Sequence, residues 1–208
     1  MVVHGLRTIF VHIPKTAGQS VEEHLLTLAG EPGKPDDWWL DGRWKNAELE
    51  AARQASAGPE VMLAKGPPLL THLYADEYLS LGYVTPDQWI AYEKITVVRN
   101  PWARVVSAWK YFTQGGWAFA DFVARFLREP DPWTFRRHAV PQWRFLQGFD
   151  GRVVRYERLA DAMPGLPERN RSSDRRDYRE FYDADLKAAV ASAYAVDIER
   201  LGYEFGDG

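Results

Sequence analysis

Short runs of β-branched and aromatic residues, each followed by proline or by polar residues, predict the strands of this chain. The first run is Thr8–Ile13 (TIFVHI), which Pro14 ends. By the same criterion Lys94–Arg99 (KITVVR) is the clearest strand, and Val61–Lys65 and Arg152–Tyr156 (RVVRY) predict shorter ones. The predicted strands are therefore spread along the chain rather than gathered in one region.

Apolar residues spaced three and four apart predict helices between these strands. The best-defined helix begins at Asn100, a good N-cap residue, with Pro101 in its first position. Its apolar face consists of Trp102, Val105, Val106, Trp109 and Phe112. Ser20 and Glu23 have the spacing of a capping box and predict a helix start at Ser20. The remaining predicted helices are Ser20–Ala29, Asn46–Ala55, Asp76–Leu81, Trp117–Leu127, Pro141–Leu146 and Asp183–Leu201.

Strands that alternate with helices are typical of an α/β domain with a mainly parallel central sheet. The chain has 208 residues, enough for one domain with a sizeable core, and it contains no internal repeat and no linker. We therefore predict a single domain over residues 1–208. Two segments, Glu31–Trp44 and Leu166–Asp177, are rich in Pro, Gly or polar residues and predict loops.

The composition narrows the functional classes. With a net charge of −3, the protein has no strong electrostatic attraction to nucleic acid or to an anionic membrane. The chain contains no cysteine, which excludes disulfides, thiolate metal sites and a cysteine nucleophile. No apolar run approaches the ~20 residues of a membrane span, and the N-terminal stretch lacks a signal-peptide core. We expect a cytoplasmic protein with no nucleic-acid partner and no membrane span; the oligomeric state stays open.

The segment His12–Ser20 (HIPKTAGQS) joins the first predicted strand to the first predicted helix. Such a junction presents free backbone N–H groups and the positive end of the helix dipole, which suits a phosphate or sulfate group. Lys15 adds a charge and Gly18 permits close backbone approach, while Thr16 contributes a hydroxyl group. The segment does not have the Walker A pattern. The alternative is an ordinary helix start with Lys15 in solvent.

The segment Arg99–Ser107 (RNPWARVVS) is the second candidate. Arg99 ends the strongest predicted strand, where open α/β sheets place their ligands. Arg104 and Ser107 are three apart on the helix face opposite the apolar one. A guanidinium and a hydroxyl at a strand end are good phosphate ligands. The alternative is that Arg99 pairs with a structural carboxylate and Ser107 is a tolerated helix residue.

Together these segments resemble a known family. HIPKTAGQS resembles the 5′-phosphosulfate loop, and RNPWARVVS the 3′-phosphate motif, of the heparan-sulfate 2-O-sulfotransferase-like branch of the sulfotransferases. Ala17 and Gln19 stand where the commoner family form, HIPKTGGTS, has Gly and Thr. The resemblance continues more weakly through Pro141–Leu146, Val154–Glu157, Asn170–Ser172 and Tyr178–Phe205.

The resemblance implies a P-loop-kinase-like three-layer fold and a sulfotransferase that uses 3′-phosphoadenosine 5′-phosphosulfate (PAPS). It implies in-line transfer to a hydroxyl, less often to an amine, of an unidentified acceptor, with a carbohydrate favoured and no catalytic metal. Lys15 would neutralise charge on the leaving phosphate, and Arg99 and Ser107 would hold the 3′-phosphate. The 5′ end would be held by Lys15, Thr16, Ala17, Gly18, Gln19 and Ser20, and the nucleotide would be covered by Arg171 and Ser172.

The resemblance also implies an active-site histidine between the two donor motifs, the position of His72. A histidine is suited to take the proton that an acceptor hydroxyl loses. Glu77 is the alternative base, and His138 is a candidate acceptor contact.

Two other functions remain open from the residues alone: a kinase-like phosphotransferase and a non-catalytic nucleotide- or glycan-binding module. The acceptor is not identified by any motif. An aromatic cluster suited to stack a sugar ring or an aromatic acceptor, or to anchor a lid, consists of Trp38, Trp39, Asp41, Arg43 and Trp44.

Overall fold

A computed structural model describes residues 1–30, 72–80, 82–114, 116–128, 137–167, 174 and 176–207. The strands in this part of the chain are β1 (Val2–Val3), β2 (Thr8–Val11), β3 (Glu93–Val98) and β4 (Arg152–Arg155). They form one sheet in the order β1-β2-β3-β4. Strands β2, β3 and β4 are parallel, and β1 is antiparallel to β2. The mainly parallel sheet with helices around it confirms the predicted α/β class.

The helices of the described residues lie between and after these strands. They are α1 (Gly18–Leu28), α2 (Ala75–Ser80), α3 (Pro86–Ala91), α4 (Pro101–Thr113), α5 (Phe119–Arg128), α6 (Gln142–Phe145), α7 (Leu159–Ala162), α8 (Ala184–Ala193) and α9 (Ala195–Leu201). Short 3₁₀ turns cover His4–Leu6, Tyr156–Arg158 and Tyr178–Phe181.

The central strands are buried on both faces, as a parallel sheet requires. Phe10 of β2 and Ile95 of β3 are register partners, and both are buried. The hydroxyl of Thr96 donates a hydrogen bond to the carbonyl of Val11 at 2.8 Å, which satisfies a polar group inside the sheet. This core includes residues of β1 to β4, α1 and α2.

A second core lies against helix α4, which follows β3 directly. The Asn100 side chain accepts hydrogen bonds from the N–H groups of Trp102 and Ala103, so the predicted N-cap is confirmed. The predicted apolar face of α4 packs against α5 and α8. The N-cap and the apolar face indicate the same helix start, so the junction between β3 and α4 is well defined.

Three predictions about helices need correction. Helix α1 begins at Gly18 after Ala17, so Ser20 lies inside it and does not cap it. The predicted helix Asp183–Leu201 is interrupted at Tyr194, which has φ −114° and ψ 28°. Helix α3 was not predicted, although Thr85 and Gln88 form a complete capping box at its start.

The predicted helix Asn46–Ala55, the strand Val61–Lys65 and the loop Glu31–Trp44 lie outside the described residues. The predicted loop Leu166–Asp177 lies partly outside them. Among the helices that the structure describes, none is both long enough and apolar enough to cross a bilayer.

Candidate active site

The loop between β2 and α1 adopts a strained conformation. Lys15 and Ala17 both have positive φ, 67° and 68°, which is unusual for residues other than glycine. The hydroxyl of Thr16 is buried and donates a hydrogen bond to the carbonyl of Ile13 at 2.9 Å. The loop is therefore a tight turn that its own hydrogen bonds and its neighbours hold in place, rather than a simple extension of the helix.

Gly18 is required where α1 begins, because the imidazole ring of His12 lies against it. A Cβ atom at this position would overlap that ring. His12 is fixed in turn by a hydrogen bond of 2.9 Å between its Nδ1 and the carboxylate of Glu22, and both side chains are buried. The predicted close backbone approach at Gly18 thus serves packing inside the protein.

Lys15 extends over an aromatic ring of α4. Its Nζ lies 3.9 Å from the centre of the Tyr111 ring. Burial, with a smaller contribution from the charge of Arg99, lowers the pKa of Lys15 to about 8. At neutral pH the ammonium group is still mostly protonated, and a bound anion would offset its desolvation and the nearby charge of Arg99.

Arg99 is held at the end of β3 by an exchange of hydrogen bonds with Gln142. The Arg99 N–H donates to the Gln142 side-chain oxygen, and the Gln142 amide donates to the Arg99 carbonyl, both at 2.8 Å. Gln142 is itself fixed by Asp197, which accepts from the N–H groups of Gln142 and Trp143 at 2.7 and 2.8 Å. Hydrogen bonds therefore hold the backbone at the strand end on both its N–H and its carbonyl group.

The guanidinium of Arg99 points toward the loop that carries Lys15. It lies 4.1 Å from the centre of the Tyr156 ring and donates a hydrogen bond to the Lys15 carbonyl at 3.3 Å. Within the described part of the chain it forms no ion pair with a carboxylate. Burial lowers the pKa of Arg99, but a guanidinium keeps its charge at neutral pH. Its charge is thus available to an anionic ligand.

Arg104 differs from Arg99 because its guanidinium donates to several backbone carbonyls inside the protein. It donates to the carbonyls of Pro14, His138 and Val140 at 3.0, 2.8 and 3.0 Å. Ser107, three residues later, is half-buried, and no described residue is a hydrogen-bond partner of its hydroxyl. Arg104 and Tyr111 both contact the loop over residues 14–15, so Ser107 lies on the α4 face that is turned toward this loop.

Three histidines from distant parts of the chain meet beside the loop. The His72 ring lies 4.5 Å from that of His12 and 5.0 Å from that of His138, measured between centroids. Nδ1 of His72 is 3.1 Å from the carbonyl oxygen of His12. Because a carbonyl only accepts, Nδ1 carries the hydrogen, and Nε2 of the neutral ring holds the lone pair.

The surroundings of His72 favour the neutral ring. Burial, followed by the proximity of His12 and His138, lowers the pKa of His72 well below its ordinary value. His138 stacks on Tyr111 with a centroid distance of 5.7 Å and an interplanar angle of 8°. The histidine cluster is therefore continuous with the Tyr111 ring on which Lys15 lies.

Glu77 is engaged elsewhere. Its carboxylate accepts two hydrogen bonds from the guanidinium of Arg137, at 2.5 and 2.9 Å, and one from the Tyr74 N–H at 2.8 Å. Because these hydrogen bonds already engage both carboxylate oxygens, Glu77 is poorly placed to accept a substrate proton. Glu77 is therefore engaged in an ion pair, whereas Nε2 of the neutral His72 ring is unprotonated.

The structure thus brings together Lys15, Arg99 and His72, with Ser107 on the adjoining helix face. Arg171, Ser172 and the cluster from Trp38 to Trp44 lie outside the described residues. Among the described residues, no group of three or more His, Asp or Glu side chains is arranged to hold a metal ion.

Sequence reasoning assigned no role to Tyr111, Arg137 or Gln142. Gln142 lies in a segment that was noticed only for its resemblance, and a polar residue between Pro141 and Trp143 was the available signal. No local pattern marks Arg137 or Tyr111, because their contacts are with residues far away in the chain.

The sequence matches a known protein family. A family model described as the sulfotransferase family matches residues 2–145, which include both candidate motifs and His72. No curated protein and no solved structure matches the chain. The matched range is more than half of the chain, and it contains the strained loop, the end of β3 and helix α4. The chain belongs to the sulfotransferase family.

Proposed function

We propose that this protein transfers a sulfuryl group from PAPS to a hydroxyl group of an acceptor, within a single P-loop-kinase-like domain. The observation that carries the proposal is the proximity of two cationic side chains at the ends of neighbouring parallel strands. Lys15 follows β2, Arg99 follows β3, and Arg99 donates a hydrogen bond to the Lys15 carbonyl. One nucleotide with phosphates at both its 5′ and its 3′ positions would use both cations.

In this proposal the loop binds the 5′ end of the donor. Lys15 lies beside the transferred group, and the backbone N–H groups of residues 16–20 face the phosphate at the start of α1. Arg99 and Ser107 bind the 3′-phosphate, with Arg171 and Ser172 closing over the nucleotide. The lowered pKa of Lys15 supports this role, because a partly desolvated ammonium gains most from an anionic partner.

The chemical step is an in-line displacement at sulfur. The acceptor oxygen forms a bond to sulfur while the bond from sulfur to the bridging phosphate oxygen breaks. The acceptor proton passes to Nε2 of His72, and the negative charge left on the phosphate is offset by Lys15. The hydrogen bond from Nδ1 of His72 to the His12 carbonyl supports this direction, because it leaves Nε2 unprotonated.

The acceptor is the least defined part of the proposal. We favour a carbohydrate hydroxyl, bound beside the Tyr111 and His138 rings, because aromatic faces pack well against sugar rings. The cluster from Trp38 to Trp44 is a second candidate for stacking the acceptor. We further propose a cytoplasmic location and transfer without a metal ion.

Calorimetry with 3′-phosphoadenosine 5′-phosphate (PAP) and with ATP plus Mg²⁺ tests the donor assignment. We expect PAP to bind at least ~10-fold more tightly, because ATP lacks the 3′-phosphate that Arg99 would hold. Tighter binding of ATP would instead support a phosphotransferase. A screen with ³⁵S-labelled PAPS against sugars, lipids, phenols and peptides then identifies the acceptor; tight PAP binding with no transfer to any of them, or to water, would indicate a binding module.

A further inference from the structure

The backbone of His72 has an unusual conformation that its neighbours stabilise. Its φ is 67°, in the left-handed region that residues other than glycine rarely adopt. Such a conformation persists only where surrounding contacts hold it. The His12 carbonyl holds the imidazole ring of His72, and a separate contact holds its backbone.

The backbone is held by Arg137. Its guanidinium donates one hydrogen bond to the His72 carbonyl at 3.1 Å and two to the Glu77 carboxylate. The side chains of Arg137 and Glu77 are 14% and 17% exposed, so this ion pair is largely screened from water. Tyr74 contacts both members of this ion pair. Its N–H donates a hydrogen bond to the Glu77 carboxylate, and its ring centre lies 4.0 Å from the guanidinium carbon of Arg137.

Arg137 also precedes one of the histidines that His72 contacts. The carbonyls of His138 and Val140 accept hydrogen bonds from Arg104, and that of Ala139 accepts one from Tyr194. The turn that carries Arg137 is therefore anchored to α4 and to the end of α8. Because Arg137 donates a hydrogen bond to the His72 carbonyl, the position of His72 depends on this anchored turn as well as on the residues next to His72 in the chain.

We propose that Arg137, held by Glu77, is a positioning residue that fixes the His72 imidazole between His12 and His138 with Nε2 directed at the acceptor hydroxyl. This inference rests on the proposed function for its catalytic consequence, since it takes His72 as the base. Its structural part, the placement of the imidazole, is independent of that assignment.

The chain supplies a matched control. Arg144 also lies on the Tyr74 ring, at 3.9 Å, and also pairs with a carboxylate of α2, that of Asp76 at 3.2 Å. The structure shows no contact between Arg144 and His72. Arg137→Ala and Arg144→Ala therefore remove the same chemical group from the same aromatic ring, but only the first removes the hydrogen bond to His72.

The first measurement is an NMR titration of ¹⁵N-histidine-labelled protein, with the His72 signal assigned from a His72→Ala sample. The groups that face His72 are His12 just after β2, Lys15 in the loop, His138 in the turn, and the Arg137–Glu77 pair. When Arg137 is removed, we expect the ring to leave its place between His12 and His138. We expect its pKa to rise toward the ordinary value of about 6.5, while Arg144→Ala leaves the titration unchanged.

The second measurement is slow hydrolysis of PAPS, in which water takes the place of the acceptor. We expect Arg137→Ala to lower kcat about 10-fold or more, with PAP affinity within about twofold of wild type, because positioning affects the reacting geometry. Arg137→Lys keeps a charge but cannot serve Glu77 and the His72 carbonyl together, so its kcat should be intermediate. Arg144→Ala should retain wild-type kcat.

An unchanged His72 titration in folded Arg137→Ala, or equal effects of Arg137→Ala and Arg144→Ala, would overturn the positioning role. If Arg137→Ala does not fold, the same NMR titration of His72 is made with Arg137→Lys, and an unchanged titration there would likewise overturn the positioning role. A shifted titration combined with wild-type turnover in His72→Ala would support the positioning role and would contradict only the assignment of His72 as the base.

Discussion

Nη1 of Arg99 donates a hydrogen bond to the carbonyl oxygen of Lys15 at 3.3 Å. The two residues are 84 positions apart in the chain, but Arg99 directly follows β3, and Lys15 lies in the loop after β2, the neighbouring parallel strand. The contact connects the proposed binding points for the two ends of the donor. It also restrains the backbone of Lys15, whose φ is positive.

Arg99→Ala should weaken PAP binding by at least about tenfold, because a hydrogen bond to a charged group is worth about 1.5–3 kcal/mol. Adenosine 5′-phosphosulfate lacks the 3′-phosphate, so its binding should weaken much less, through the loosened Lys15 loop alone. Calorimetry with both ligands measures the difference. Equal losses would mean that Arg99 acts only through the loop and does not bind the 3′-phosphate.

The affinity for PAP should fall as the pH rises through about 8, the pKa of Lys15 in the free protein. The sign follows from the lowered pKa: the ammonium is charged below that value and loses its proton above it, and the neutral amine no longer attracts the 5′-phosphate. Isothermal titration between pH 6.5 and 9.5 measures the effect. Lys15→Arg is the control, since a guanidinium stays charged over this range and its affinity should not fall at pH 8.

His72→Ala should lower turnover by roughly 10²–10⁴ and should remove the acidic limb of the pH–rate profile. The base acts when neutral, and the pKa of His72 lies well below 6.5. In the wild type, therefore, the rate should fall only as the pH drops below the ordinary histidine range. Glu77→Gln should retain the limb. The assignment is wrong if His72→Ala keeps both the limb and most of its activity while Glu77→Gln loses them.

Gly18→Ala should destabilise the protein by about 1–3 kcal/mol, the usual effect of forcing an extra carbon into a packed site. The added Cβ would overlap the His12 ring, which cannot move freely because Glu22 holds it. Gly5→Ala is the control, since a Cβ there would meet only the Ala29 side chain, at 4.0 Å. Urea unfolding of both variants measures the difference, and similar midpoints would contradict the packing argument.

The sequence by itself determined the elements in which local signals agree. β3 and α4 were predicted because a β-branched run is followed by an N-cap, an N1 proline and a single apolar face, and these features all lie within about 20 residues. The two motifs that flank the proposed donor site were also found from sequence, because each is continuous along the chain. The parallel α/β class followed from the alternation of strands and helices.

Helix boundaries were less well predicted, because tertiary contacts compete with local signals at helix ends. Ser20 has capping-box spacing with Glu23, but the turn at Ala17 starts α1 two residues earlier than the predicted Ser20. The apolar pattern of the last helix continues through Tyr194, but the helix is interrupted there, where the Tyr194 hydroxyl donates a hydrogen bond to the Ala139 carbonyl. Neither event is visible in the spacing of the residues concerned.

Only the tertiary structure decided which polar side chains are available for chemistry. Arg99 and Arg104 are five positions apart and equally basic, yet the Arg104 guanidinium donates to three backbone carbonyls, while that of Arg99 donates to one and forms no ion pair among the described residues. His72 and Glu77 are both candidate bases in the sequence, and only the structure shows that Glu77 pairs with Arg137. These distinctions depend on partners 34 to 90 positions away. Because the identity of such a partner is fixed by the packing of the whole domain, no local pattern in the sequence encodes it.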